Sequence, residues 1–154
     1  MASIKRAKTQ AQLDHATDLR LRKAYGITLA DYNARLAASG GRCEICQRLP
    51  LNRRLNVDHD HAWKKVKYTS AKFGGVWQAD ATYRGMRHSA SSPKKSQAVK
   101  DLKRLLLQSS VRGIICWFCN GALRPFWDRP DLLKAAATYL ERHQGATDAS
   151  NNKG

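Results

Sequence analysis

The residues best equipped for chemistry are Cys43, Cys46, Cys116 and Cys119, the chain's only cysteines, spaced as two Cys-x-x-Cys pairs. Two such pairs can bring four thiolates to the corners of a tetrahedron, which is the coordination a structural zinc ion takes. The alternatives are two disulfides, four unrelated buried thiols or a redox dithiol. Disulfides belong to oxidising compartments, and a redox dithiol needs only one pair. A closed Cys₄ shell leaves no position open to substrate, so zinc here is expected to hold the fold. It would tie together segments about 70 residues apart in sequence, making metal binding part of folding.

A second cluster is Val57-Asp58-His59-Asp60-His61. Four titratable side chains in a row are costly to bury, so they are either exposed or at work. In an extended chain, alternation sets Asp58 and Asp60 on one side and His59 and His61 on the other. Asp58 can hold a hard divalent cation while a neutral His59 takes a proton from water attacking a phosphodiester. The plainer readings are a surface loop or extra zinc ligands, and the cysteines already fill a tetrahedron. Asn120 follows the last cysteine directly. Its side-chain oxygen would share the cation with Asp58 if zinc folds Cys119 back beside the strand.

The partner is suggested by charge. The 154 residues hold 28 Lys+Arg against 12 Asp+Glu, a formal +16, which points to a polyanion and most simply to nucleic acid. Residues 62–112 alone hold twelve basic and two acidic side chains. Trp63, Tyr68, Phe73, Trp77 and Tyr83 are interleaved there with Lys64, Lys65, Lys67, Lys72, Arg84 and Arg87, a pattern suited to phosphates beside bases. Lys94, Lys95, Lys103 and Arg104 extend the set of expected DNA contacts. No apolar run approaches the ~20 residues of a membrane span, and no signal-peptide core opens the chain. A membrane or secreted protein is therefore not expected.

These residues need elements to position them. A helix is expected over Ala11–Tyr25, with Leu13, Ala16, Thr17, Leu21 and Ala24 on one stripe and Gly26 at its end. Thr28 reads as the N-cap of a second helix, supported by Asp31, that buries Leu29, Tyr32 and Leu36 and stops at Gly40-Gly41. A short strand through Leu55 and Val57 leads to the acid–histidine run. Gly74-Gly75 suggests a hairpin, residues 89–97 a flexible linker, and Val99–Gln108 a helix with Leu102, Leu105 and Leu106 inside. A strand over Gly113-Ile114-Ile115 enters the second cysteine pair. Pro130 opens a last helix whose Leu132, Leu133, Ala136, Ala137 and Leu140 suit a core or dimer interface. His15, His88 and His143 read as surface residues. The expected organisation is an N-terminal basic arm and helices (1–42), a zinc-stabilised core (43–143) and a disordered tail (144–154).

The combination of Cys-x-x-Cys, VDHDH and VRGIICWFCN closely resembles the recombination endonuclease VII family, phage-type resolvases of branched DNA within the HNH, or ββα-metal, nucleases. LRKAYGITLADYNARLAASGGRCEIC is similar to the family's helix pair before the first cysteine pair, and RPDLLKAAATYLERH to its C-terminal helix. The resemblance implies an α+β fold with a ββα-metal core, a Cys₄ zinc site and flanking helices. It implies Mg²⁺ or Mn²⁺ on Asp58 and Asn120, His59 as general base, and His61 contacting phosphate or stabilising the transition state. It further implies 5′-phosphate and 3′-hydroxyl products, a homodimer interlocked through the flanking helices, and a cytoplasmic setting in a bacterium or phage-infected cell. Asp60 takes no role from it.

The chain departs from the family between VDHDH and VRG, where residues 62–111 replace a short connection. Loop length alone costs little entropy, but a basic, aromatic insertion reads as an added DNA-contacting lobe in the hairpin. A junction resolvase is thus one expectation, and a homing- or restriction-type endonuclease or nickase another. A non-catalytic zinc DNA-binding protein would have no use for Asp58, His59 and Asn120. A thiol–disulfide oxidoreductase fits neither the charge nor the VDHDH run.

Overall fold

A computed structural model describes residues 7–144. The expected disordered tail lies almost wholly outside them, as do the first six residues of the basic arm. The elements are α1 (Gln10–Tyr25), α2 (Leu29–Ala38), β1 (Asn56–His59), a 3₁₀ turn (His61–Lys65), β2 (Thr69–Phe73), β3 (Val76–Tyr83) and β4 (Met86–Ser92). They continue with α3 (Lys95–Ser109), β5 (Val111–Ile115), α4 (Trp117–Leu123), a 3₁₀ turn (Arg124–Phe126) and α5 (Pro130–Gln144). This mixed α and β chain divides into two units, Met1–Cys116 and Trp117–Gly154.

Local signals set the first two helices. Thr9 and Thr28 each close a capping box, the second with Asp31 as expected, satisfying the free N–H groups of the first turns. Gly26 ends α1 at φ 73°, a left-handed conformation that other residues enter only with strain. It also passes close to α3, where a Cβ would stand 3.3 Å from the Arg104 carbonyl. Asp18 accepts from Arg22 and from the Leu29 amide, joining α1 to the start of α2. The buried Tyr32 hydroxyl donates to the Leu55 carbonyl at 3.0 Å and fixes the chain just before β1.

Strands β1 and β5 pair antiparallel, with Asn56 opposite Ile115, Val57 opposite Ile114, Asp58 opposite Gly113 and His59 opposite Val111. The register therefore shifts between Asp58 and His59, and Arg112 is the extra residue of the bulge, a place where a strand re-aims a side chain. Everything between the two strands forms a lobe of its own. Sheet β2-β3-β4 is antiparallel, and α3 covers one face of it. Ala79, Ala81, Tyr83, Ala98, Leu102 and Leu106 are buried there, with Trp63, Val66, Trp77, Ala90 and Val99 packed around them.

Two expectations about this lobe are corrected. Residues 89–97 are not a linker: 89–92 complete β4, and α3 begins at Lys95. Small residues read as linker composition, yet Ala90 and the buried Ser92, opposite Ala79 and Trp77, belong to the face that α3 covers. His88, expected at the surface, is half-buried opposite Ala81. The Gly74-Gly75 hairpin is present, with both glycines at positive φ. In the second unit α5 starts at Pro130, and none of its residues is buried; Tyr139 and Leu140 are more than half exposed.

Candidate active site

The sulfur atoms of Cys43, Cys46, Cys116 and Cys119 all lie within 4.8 Å of one another, and none is in a disulfide. Cys116 closes the first unit and Cys119 sits in α4. Cys43 is fully buried, and the Cys116 amide donates to its sulfur at 3.2 Å. Burial pushes the Cys43 thiol up, but the amides of Cys116, Cys46 and Ile45 and the Cys46 thiol outweigh it, bringing its pKa down to about 6. Thiolates bind metal, so the donor set is compatible with a structural zinc ion.

The first cysteine pair is docked on β5 by its own Glu44. The Ile114 amide donates to the Glu44 carboxylate at 2.7 Å, and the Glu44 amide donates to the Ile114 carbonyl at 3.2 Å. The carboxylate lies over Gly113, where a Cβ would stand 2.4 Å from it. A side chain at Gly113, opposite Asp58, would thus have to displace the Glu44 carboxylate from its seat on the strand.

Asp58 is nearly buried, its side chain 12 % exposed. Arg112 grips both its oxygens, through Nε at 2.7 Å and the terminal nitrogen at 2.8 Å. His59 meets Tyr25 edge-on at 5.3 Å between ring centres, and the His61 ring at 4.5 Å. The expected common side for the two histidines is therefore present. Burial lowers the pKa of His59 below its ordinary value, and the nearby His61, Lys64 and Arg112 add to this while Asp58 opposes it. These effects favour the neutral imidazole, the form that accepts a proton.

Asp60 turns to the lobe. It accepts from the Ala62 amide at 2.8 Å, capping the 3₁₀ turn, and from the Tyr83 hydroxyl at 2.9 Å, with Arg84 at 3.4 Å. Burial raises its pKa, but these donors outweigh that and lower it. Asn120 is half-buried in α4 of the second unit.

Lys64, Lys65, Lys67, Lys72, Arg84, Arg87, Lys94, Lys95, Lys103 and Arg104 are all exposed. Several have partners within the lobe: Arg87 on Asp80, Lys95 over Trp77, Lys103 over Tyr68, and Arg84 over Tyr83. Of the interleaved aromatics, Trp63, Trp77 and Tyr83 pack in the lobe's core, whereas Tyr68 and Phe73 are exposed. A groove of about 370 Å³ lies beside β1, lined by Arg20, Tyr25, Arg53 and Arg54 among others, and Tyr25 borders both it and His59. Arg112, Glu44, Tyr25 and the groove arginines escaped the sequence reading. Each is placed by pairing between distant segments that no local pattern announces.

The recombination endonuclease VII profile matches residues 18–142, through both cysteine pairs and across the insertion. The chain belongs to the recombination endonuclease VII family. A shorter stretch is similar to the Gene 59 protein of Mycobacterium phage D29, 51 % identical over 45 residues. That stretch is 29 % of this chain, and it spans only 27 % of the phage protein's length. No solved structure matches. Among the described residues no helix is long and apolar enough to cross a membrane.

Proposed function

We propose that this endonuclease VII family chain is a metal-dependent DNA endonuclease of the HNH type that resolves branched DNA. The observation that carries the reading is His59, its ring against Tyr25 and His61, next to Asp58 on a hairpin that runs into a four-cysteine cluster. Zinc on Cys43, Cys46, Cys116 and Cys119 would fasten the second cysteine pair to the first. Asp58 and Asn120 are the proposed ligands of Mg²⁺ or Mn²⁺. The donor chemistry suits a hard cation, since a carboxylate and a carboxamide both offer oxygen. When bound, that ion supplies charge stabilisation at the pentavalent phosphate and its leaving 3′ oxygen.

The chain's own residues do the rest. The His59 imidazole takes the proton of the attacking water, and Tyr25 packed against its ring limits the ring's freedom. His61, one ring away, faces the same side and contacts a phosphate oxygen. Arg20, Arg53 and Arg54 line the groove that Tyr25 also borders, with positive charge suited to the backbone of the entering strand. Two copies, meeting through the uncovered apolar residues of α5, would cut opposed strands.

Site-specific cutting of duplex DNA is the second reading, and one observation favours it. On the sheet face opposite α3, Gln78, Asp80, Arg87 and Ser89 form one hydrogen-bonded set, with both donors and acceptors of the kind that read base edges.

The test is cleavage of a four-way junction and a matched linear duplex by zinc-loaded protein with Mg²⁺ or with EDTA. Mg²⁺-dependent cutting that favours the junction is expected. Cutting confined to one duplex sequence moves the assignment to the second reading. If neither substrate is cut while both are bound, the chain is a binding protein and the enzymatic reading falls.

A further inference from the structure

Arg112 is unassigned by the family resemblance, and its geometry gives it a task. It is the extra residue of the bulge in β5, aimed by that bulge at the carboxylate across the hairpin. Its fork engages both Asp58 oxygens, at 2.7 and 2.8 Å, in a setting where the Asp58 side chain is 12 % and the Arg112 side chain 29 % exposed. Paired, planar and half-desolvated, this is the strong kind of charge-assisted contact. A divalent cation on Asp58 needs the same oxygens and would stand within a few ångströms of a guanidinium that cannot lose its proton. The two positive charges repel, so the cation and Arg112 compete for one carboxylate.

We infer that Arg112 is a resident counter-ion that makes cation loading at Asp58 conditional on DNA. This rests on the reading of Asp58 as a cation ligand. A guanidinium displaced from Asp58 can turn to another anion, and its fork fits a phosphodiester as well as a carboxylate. DNA at the site supplies that anion, takes Arg112 off Asp58 and opens the carboxylate to the ion. By linkage the effect is reciprocal: the cation tightens DNA binding by the same factor as DNA tightens cation binding. The protein thus stays unloaded until substrate arrives, and Arg112 becomes a phosphate-positioning residue once it does.

The experiment is an Mn²⁺ titration of zinc-loaded protein, followed by the electron paramagnetic resonance of free Mn²⁺. It is done with and without a short four-way junction, in a His59→Ala background so that the DNA stays intact. Arg112→Gln is expected to bind Mn²⁺ roughly tenfold more tightly without DNA, since a neighbouring positive charge has been removed. The tightening that DNA brings should shrink by the same factor. Unchanged or weaker Mn²⁺ binding in Arg112→Gln overturns the inference and leaves Arg112 a support that orients the carboxylate. If Arg112→Gln melts below the titration temperature, Arg112→Lys is used, which keeps the charge but loses the fork. A rise of roughly threefold is then expected, and no rise overturns the inference. Asp58→Asn, titrated in parallel, separates the two claims: Mn²⁺ binding that survives it removes Asp58 as the ligand, whatever Arg112 does.

Discussion

The paired strands β1 and β5 and the lobe inserted between them are built on opposite principles. The hairpin has two short strands, and Val57, Ile114 and Ile115 are among its few buried apolar residues. A two-stranded ribbon of that size is marginal in water, and this one also carries Asp58, Arg112 and His59. Four clustered thiols, the Glu44 clasp and the Tyr32 hydroxyl supply what apolar burial does not. The lobe has three strands, a long helix and a contiguous core from Ala79 to Leu106. Apolar burial holds the lobe together, whereas the hairpin, which carries a carboxylate and an imidazole, leans on clustered thiols and hydrogen bonds. The division of labour explains why the four cysteines flank the hairpin and none lies in the lobe.

The sharpest way to break this comparison is at the chemistry itself. His59→Ala should lower the cleavage rate about 10²- to 10⁴-fold, the worth of a general base, with junction affinity unchanged in a gel-shift titration. Loss of binding instead would make His59 a contact and not a base. Stripping zinc with a chelator comes next, because structural zinc is part of folding free energy. Hydrogen exchange should then speed up at the Ile114 and Ile115 amides while those of Ala79 and Ala81 stay protected; equal loss in both regions would show that the lobe, too, depends on the metal. Leu102→Ala attacks the other principle. Leu102 is fully buried, so its truncation should cost about 2–5 kcal/mol, read as earlier thermal melting of the lobe with Mg²⁺-dependent cutting retained at low salt.

Smaller effects sharpen the contrast further. Replacing residues 62–109 by a short turn should flatten the dependence of DNA affinity on salt by about 0.9 in logarithmic slope for each phosphate that the lobe had neutralised. An unchanged slope would make the lobe a bystander. The smallest concerns acid stability. The pKa of Asp18 is lowered, first by the Arg22 side chain and then by the Leu29 amide. Its stabilising contribution is therefore complete above the ordinary 3.8 and fades as pH falls through the lower folded value. Between pH 6 and pH 2, roughly spanning that window, the melting temperature of Asp18→Asn should fall less than that of the unaltered chain; parallel curves would refute the pairing.

What could be read from the sequence was what local chemistry determines. The capping box of Thr28 and Asp31, the αL stop at Gly26, the Gly74-Gly75 turn and Pro130 all act within a few residues, and all were legible. The cysteine spacing showed the thiolate cluster because two pairs with no cysteine left over have few other uses. The lobe was half legible. Its charge was plain, but Ala90 and Ser92 read as linker because small residues mark both loose chain and a strand face beneath a helix. Trp63, Trp77 and Tyr83 read as rings for bases, and their place in the core follows from a helix that alternation in the strands does not reveal. Arg112 and Glu44 were invisible for a simpler reason. Their partners, Asp58 and Ile114, lie 54 and 70 residues away; the strand register brings the first pair together, and the docking of the cysteine pair on β5 the second.

One backbone hydrogen bond has a wider consequence. The Asp60 amide donates to the Ser110 carbonyl at 2.9 Å, so the chain leaves the hairpin and re-enters it through neighbouring positions. The two ends of the lobe are thereby joined to each other as well as to the strands. Insertions are best borne where their two ends lie close together, and this closure lets a long segment stand between β1 and β5 without parting the two strands.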